Sequence, residues 1–235
     1  MNWEDLSVYR PLIKEDLKAA KKDLTNLVAN EFVDDGFVLR ERKLYRLSND
    51  ILQVIHIDTR GTWMGASEYF KVYISICSVY DIDSLVKGYD DLTNIGIDKL
   101  MPEIRDHERI TQEYPLLADY LNRKIRESVL PYLFQFKSSN DVLNHFDKIK
   151  LNRDSNDLKW NDNLILFSEL ANKNIVRSTE ILDKKLTWLK QSDLNDIAIQ
   201  ETELLSKLVN ERNWDEIETL LIERKQMVFK KLKLK

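Results

Sequence analysis

The apolar residues near the start of the chain follow the spacing of one helix face. Between Asp16 and Asn30 they recur every three or four positions, at Leu17, Ala20, Leu24, Leu27 and Val28. This periodicity predicts an amphipathic helix over residues 16–30. The helix is expected to end at Asp34-Asp35-Gly36, because aspartate favours turns and glycine accepts the positive φ found at helix ends.

Short runs rich in β-branched and aromatic residues follow this turn. They predict four strands, over residues 37–40, 44–47, 51–59 and 69–80. The connections between the first three runs are too short to hold a crossover helix, so these strands are expected to be antiparallel neighbours. Alternation in the fourth run places Val72 and Ile74 on one face and Lys71, Tyr73 and Ser75 on the other, as in a half-buried strand.

The middle of the chain is the most acidic part of the sequence. Residues 81–113 also contain glycines and a proline, so they are expected to be loop with short helical or strand pieces. After them, apolar residues every four positions predict a helix from about Pro115 to Val129. Pro131 is expected to end or kink this helix, because proline has no amide hydrogen to donate.

The remainder of the chain is predicted to be helical. Residues 151–157 are polar and aperiodic and form the predicted linker, whereas the later apolar patterns fit antiparallel helices. Asn213 with Glu216 three residues later resembles a capping box before the last helix. The sequence thus predicts an α+β domain over 1–150, a helix packed on a four-stranded and mostly antiparallel sheet, followed by an antiparallel helical bundle over 151–235.

Composition narrows the class of protein further. Only 5 glycines and 4 prolines occur in 235 residues, which argues against collagen-like, disordered and turn-rich all-β chains. The net charge of −4 provides no general attraction for nucleic acids. A single cysteine, Cys77, permits no internal disulfide, and neither a secretory signal nor a membrane-spanning run is present. A cytoplasmic protein that binds neither nucleic acid nor membrane is therefore expected.

Polar side chains on the third and fourth predicted strands form the main candidate site. His56 and Asp58 are two residues apart, so both point to one face, within cross-strand reach of residues on the fourth strand. The predicted binding surface consists of His56, Asp58, Arg60, Trp63, Lys71, Tyr73, Arg40 and Arg46. The competing interpretation of the same pattern is an ordinary solvated sheet face.

The sequence contains no spacing typical of a metal or cofactor site. The three histidines, His56, His107 and His145, are far apart, and the single cysteine excludes a cysteine-based zinc site. The run Gly61-Thr62-Trp63-Met64-Gly65 lacks the lysine of a phosphate-binding loop and does not match the dinucleotide fingerprint. No metal, no cofactor and no catalytic residue is therefore assigned.

Several residues between Phe32 and Ile76 have the order seen in a known bacterial family. They are Phe32, Asp35-Gly36-Phe37, Arg40, Tyr45-Arg46, Ile51-Leu52-Gln53-Val54-Ile55-His56-Ile57 and Phe70-Lys71-Val72-Tyr73-Ile74. The segment that carries them resembles the family called domain of unknown function 4304, and the similarity extends over about residues 1–150. This resemblance implies a shared fold for that part and an immunity-like or similar binding role.

These observations lead to two hypotheses of different classes. The first is a non-enzymatic cytoplasmic protein-binding module with an immunity-like role, which follows from the lack of catalytic signatures and from the resemblance. The second is a hydrolase or transferase that uses His56 and Asp58 as acid-base residues, since imidazole titrates near neutrality and a carboxylate can orient it. The sequence leaves open the identity of the partner, the oligomeric state and the strand order.

Overall fold

The structure is a computed structural model that describes residues 3–7, 9–58, 69–81, 95–101, 108–150, 163–191 and 196–234. The chain forms two compact units. The first comprises Met1–Leu47, Leu52–Ile76 and Thr93–Gln135, and the second comprises Ser48–Ile51, Cys77–Leu92 and Phe136–Lys235. The expected division at residue 150 adjoins residues 151–162, which lie outside the described residues, so it stays a prediction.

An antiparallel sheet is the centre of the β-rich part of the chain. Its strands, in spatial and chain order, are β1 (Val38–Arg40), β2 (Lys43–Ser48), β3 (Ile51–Asp58), β4 (Tyr69–Ser78) and β5 (Ile95–Gly96). A further two-residue strand, β6 (Glu108–Arg109), pairs with β4. The α+β class and the antiparallel order are confirmed, but the predicted number of four strands is wrong. Strands of two residues are too short to show an alternating pattern in a sequence.

Tight connections set the register of the first strands. Val38 is the partner of Tyr45 and Arg40 is the partner of Lys43, so β1 and β2 form a hairpin. Asn49 has a φ of +52°, in the left-handed region that asparagine tolerates, and it turns the chain from β2 into β3. Strands β2 and β3 form a second hairpin. At its far end, the amide of Ile57 donates to the carbonyl of Arg42 over 2.9 Å.

The described part of the first unit contains two longer helices besides short helical segments. Its helices are a 3₁₀ turn (Trp3–Asp5), α1 (Lys14–Glu31), α2 (Ile97–Leu100), α3 (Tyr114–Lys124) and α4 (Leu130–Leu133). Helix α1 matches the predicted helix over 16–30 and contacts α3. It is followed by the expected turn, in which Gly36 has a φ of +86° and its amide donates to the carbonyl of Val33.

A π-helical turn joins α3 to α4, over Ile125–Val129. The sequence predicts that Pro131 ends or kinks the helix, but the helical path continues through this residue to Leu133. Because Pro131 has no amide hydrogen, the carbonyl four residues before it loses its usual donor. A wider turn immediately before a proline accommodates this loss, and such turns are frequent at functional sites.

The second unit is mainly helical. Its helices are α5 (Ser139–Lys150), α6 (Asn163–Ala171), α7 (Ile175–Gln191), α8 (Asp196–Asn210) and α9 (Trp214–Leu232). Each helix contacts the next one in the chain. The last four of these helices, α6 to α9, share a core whose buried residues are Leu166, Phe167, Leu170, Leu182, Leu205, Leu208, Val209, Ile217 and Leu221. In the described ranges, no helix combines the length and the apolar character needed to cross a bilayer.

Asn213 caps the last helix at the predicted position, and Glu216 bonds to its side chain. Asn213 Oδ1 accepts a hydrogen bond from the amide of Glu216, and Asn213 Nδ2 donates to Glu216 Oε2 over 2.8 Å. We expect Asn213→Ala to lower the free energy of unfolding by about 1 kcal/mol, because an amide at the start of α9 loses its acceptor. Chemical denaturation measures this loss. Asn213→Ser keeps an acceptor at the same position, so an equal loss in both variants would contradict the capping role.

Candidate functional site

The structure places several residues of the predicted binding surface together on one face of the sheet. The rings of His56 on β3 and Tyr73 on β4 lie side by side, with centroids 6.1 Å apart. Asp58 and Lys71 are each two residues from one of these rings along its strand, so they share that face. All four side chains are half-buried. The predicted proximity of these residues is therefore present in the structure.

This face is less polar than the sequence pattern suggests. Leu52, Val54 and Tyr45 are buried, with at most 4% of each residue exposed. Leu52 and Val54 come four and two residues before His56 along β3, so they lie on its side of the sheet. The polar part of the face is therefore confined to one end of the strands. At that end, burial and the charge of Arg42 lower the pKa of Lys21 on α1, while Asp58 acts in the opposite direction.

Arg46 lies apart from the other predicted residues. Side chains alternate along β2 and β3, and Arg46 bonds to Gln53, which points to the face opposite that of His56. Arg46 Nη1 donates to Gln53 Oε1 over 2.8 Å, and the guanidinium lies 4.3 Å from the centre of the Phe134 ring. These contacts hold α4 against the sheet, which is a structural use of the side chain.

The remaining predicted residues have separate positions. Arg40 is at the end of β1, where its Nη1 donates to the carbonyl of Leu39 over 2.9 Å. Arg60 and Trp63 lie outside the described residues. Cys77 is buried. Among the described residues, no group of three or more histidine, cysteine or carboxylate side chains is placed to hold a metal ion.

A second polar site, which the sequence analysis did not find, lies between α1 and α3. It is a cleft of about 420 Å³, and the π-helical turn forms one end of it. The residues that line this cleft, named here the α1–α3 cleft, are Glu31, Asp119, Asn122, Arg123, Arg126 and Glu127. It thus collects three carboxylates and two guanidinium groups within the first unit.

Arg126 is held firmly at the end of α1. Its Nη2 donates to Glu31 Oε1 over 3.0 Å and to the main-chain carbonyl of Glu31 over 3.3 Å, and its Nη1 lies 3.2 Å from Asp35 Oδ2. The guanidinium also lies over the ring of Phe32, 5.4 Å from its centre. The hydrogen bond that Arg126 donates to Glu31 and the charge of Asp35 raise the pKa of Arg126. This cation is therefore neutralised by contacts within the protein.

Arg123 has a similar internal partner. Its Nη2 lies 2.7 Å from Glu4 Oε2, and its guanidinium is 5.6 Å from the centre of the Tyr120 ring. The hydrogen bond with Glu4 raises the pKa of Arg123. Both guanidinium groups of the α1–α3 cleft thus have a carboxylate partner and an aromatic ring beside them.

Two acceptors in the α1–α3 cleft have no such partner. Asp119 is exposed on α3, and no hydrogen bond or ion pair involves its carboxylate among the described residues. Asn122 Nδ2 approaches the carbonyl of Leu27 at 3.5 Å, but Asn122 Oδ1 is buried without a hydrogen-bond donor in the described part of the chain. The cleft therefore has more acceptors than its own donors satisfy.

The sequence contained one signal for this site. Asp119, Asn122, Arg123 and Arg126 are spaced three or four residues apart, so they share a face of the predicted helix opposite its apolar side. Nothing in the spacing indicates that α1 lies beside this face, because the two helices are distant in sequence. The cleft is formed by tertiary packing.

Comparison of the chain with protein-family models, with curated proteins and with solved structures finds no match. The resemblance to the domain of unknown function 4304 family therefore stays a prediction. The functional argument depends on the geometry of the two sites.

Proposed function

We propose that this chain is a non-enzymatic protein-binding module that holds its partner through the α1–α3 cleft. The observation that carries the proposal is the collection of five charged side chains of both signs around one depression. Charges of both signs at a surface orient a partner and exclude wrongly charged ones. The non-enzymatic part of the proposal rests on the lack of a catalytic signature in the sequence.

The proposed cellular location and biological role follow from the sequence. A cytoplasmic location is consistent with a single buried cysteine, which requires no oxidising compartment. An immunity-like role, in which the partner would be a toxin, is the form of binding that the family resemblance implies. The partner itself is identified by the experiment below.

The test compares charge reversal inside and outside the α1–α3 cleft. The first variant is Asp119→Lys with Glu127→Lys; the matched control is Asp183→Lys with Glu223→Lys, two exposed carboxylates on α7 and α9. All proteins are purified gently from the native source and examined by native mass spectrometry. We expect a stoichiometric protein companion on the wild type and the control, and at least about a tenfold loss on the cleft variant, because like charges oppose association.

Two results would overturn the proposal. The first is a wild-type protein that carries no companion under any growth condition of its source. The second is a companion that the cleft variant retains as well as the control does. Circular dichroism spectra of the variants establish that each one is folded before binding is compared.

The second candidate function is a hydrolase or transferase that uses His56 and Asp58. The observation in its favour is that the structure places both side chains at the less buried end of one sheet face, with Tyr73 beside His56. Activity against a panel of ester, phosphoester and amide substrates tests this candidate. We expect His56→Ala to abolish any turnover while the circular dichroism spectrum stays unchanged; turnover that survives the substitution would remove this candidate.

A further inference from the structure

We propose that the group bound in the α1–α3 cleft is a cationic side chain, an arginine or lysine carried by a basic segment of the partner protein. This inference rests on the proposed binding function and specifies its chemistry. Three independent features of the described residues support it: the balance of charge, the unpartnered acceptors and the direction of the α1 dipole.

The balance of charge around the α1–α3 cleft is negative. Its lining contains three carboxylates and two guanidinium groups. Glu4 and Asp35 border it through their contacts with Arg123 and Arg126, and Lys124 borders it through its contact with Glu127. The ion pairs neutralise charges of both signs, and five carboxylates against three cations leave an excess of two negative charges. A cation that enters the cleft meets an excess of negative charge.

The acceptors without partners have the chemistry that a cationic side chain needs. The carboxylate of Asp119 is exposed and makes no contact with a cation among the described residues. Glu127 lies 3.6 Å from Lys124 and its charge also acts on Arg123, but 54% of the Glu127 side chain is exposed. A guanidinium or ammonium group donates several hydrogen bonds and accepts none, so it complements exposed carboxylates.

The carboxyl end of α1 adds an electric field that also favours a cation. The carboxyl end of a helix carries a partial negative charge, and the last turn of α1 contains no basic residue to offset it. Instead, groups from the other wall of the cleft reach it: Asn122 approaches the carbonyl of Leu27, and Arg126 donates to that of Glu31. A further cation in the cleft would be stabilised by the same dipole.

The experiment uses a defined peptide as the probe. A fluorescent peptide with four Arg-Gly repeats is titrated with the full-length protein, and its anisotropy is compared with that of a matched Glu-Gly peptide. We expect saturable binding of the basic peptide only, weakened by added salt. Asp119→Asn with Glu127→Gln should reduce the affinity about tenfold, because two charge-assisted hydrogen bonds become neutral ones.

The control separates a specific site from general attraction to an acidic protein. Asp183→Asn with Glu223→Gln removes the same amount of charge at exposed positions on α7 and α9, and we expect less than about a twofold change in affinity. Equal losses in the two double variants would overturn the inference. Equal binding of the Glu-Gly peptide, or no saturable binding of the Arg-Gly peptide, would also overturn it.

The outcome is distinguishable from a failure of the proposed function. If a companion protein depends on the cleft but the Arg-Gly peptide neither binds nor displaces it, the module binds proteins through other chemistry, and only this inference fails. If the Arg-Gly peptide binds in the cleft but no companion is found, the cleft accepts cations, and the proposed binding function fails.

Discussion

Gln53→Ala is expected to lower the free energy of unfolding by about 3 kcal/mol, since the substitution removes one buried and one partly buried hydrogen bond and leaves a cavity. Gln53 is completely buried within β3. Its Oε1 accepts from Arg46 Nη1 over 2.8 Å, and its Nε2 donates to the carbonyl of Leu133 over 2.8 Å. Without this side chain, the Leu133 carbonyl stays buried without a donor from β3, and such a group carries its full desolvation cost.

Equilibrium unfolding in urea measures this loss, and Gln112→Ala is its matched control. Gln112 Nε2 also donates to a main-chain carbonyl, that of Pro11, over 3.1 Å, but its side chain is exposed. Water can replace that bond, so we expect a change below about 0.5 kcal/mol in the control. Equal losses in Gln53→Ala and Gln112→Ala would show that the buried amide does not hold α4 against the sheet.

Glu113→Gln is expected to lower the free energy of unfolding at neutral pH by about 2 kcal/mol. Only 8% of the Glu113 side chain is exposed, and burial alone would raise its pKa. Its carboxylate accepts hydrogen bonds from the amide of Arg10 over 3.1 Å, from Arg10 Nε over 2.5 Å and from Thr111 Oγ1 over 2.9 Å. These bonds outweigh burial and lower the pKa of Glu113 to about 2.

The same contacts predict how the stability of the protein depends on pH. The pKa of Glu113 in the folded protein, about 2, lies below the ordinary value of 4.5. The unfolded chain therefore binds the proton more readily, so the contribution is complete above pH 4.5 and disappears as the pH falls toward 2. Glu113→Gln should remove this part of the acid sensitivity. Unfolding curves between neutral pH and about pH 2.5 measure it.

Glu180→Gln is the control for this prediction. Glu180 also contacts two cations, Lys184 Nζ at 2.9 Å and Arg177 Nη1 at 3.1 Å, but 42% of its side chain is exposed. Exposed ion pairs contribute little because water and salt screen them, so we expect a loss of about 0.5 kcal/mol or less. If Glu180→Gln cost as much as Glu113→Gln, burial of the Glu113 carboxylate would not be the source of its effect.

Local patterns were sufficient for most of the secondary structure. The three-and-four spacing of apolar residues located α1 to within two residues at its start and one at its end, at Lys14–Glu31 against the predicted 16–30. Strand β3, at Ile51–Asp58, begins at the predicted residue, and residue 59 of the predicted range lies outside the described residues. The helix cap at Asn213 is also a local feature, since its donor and acceptor are three residues apart. Each of these features depends on neighbours in the sequence.

The features that sequence analysis missed depend on distant parts of the chain. The strands β5 and β6 each have two residues and exist through their pairing with β4. The pattern predicted that Pro131 ends or kinks the helix, and only the structure shows that the helical path continues past Pro131, after a π-helical turn, to Leu133. Neither effect has a signature in the local pattern.

The two candidate sites also differ in how far the sequence could predict them. The sequence by itself determined that His56 and Asp58 share a strand face, because residues two apart in a strand point to the same side. Tertiary structure alone decided that Arg46 faces the other way into a contact with Gln53 and Phe134. It also decided that α1 lies against α3, about ninety residues later in the chain. Periodicity specifies which side of an element is polar, but only packing specifies what that side faces.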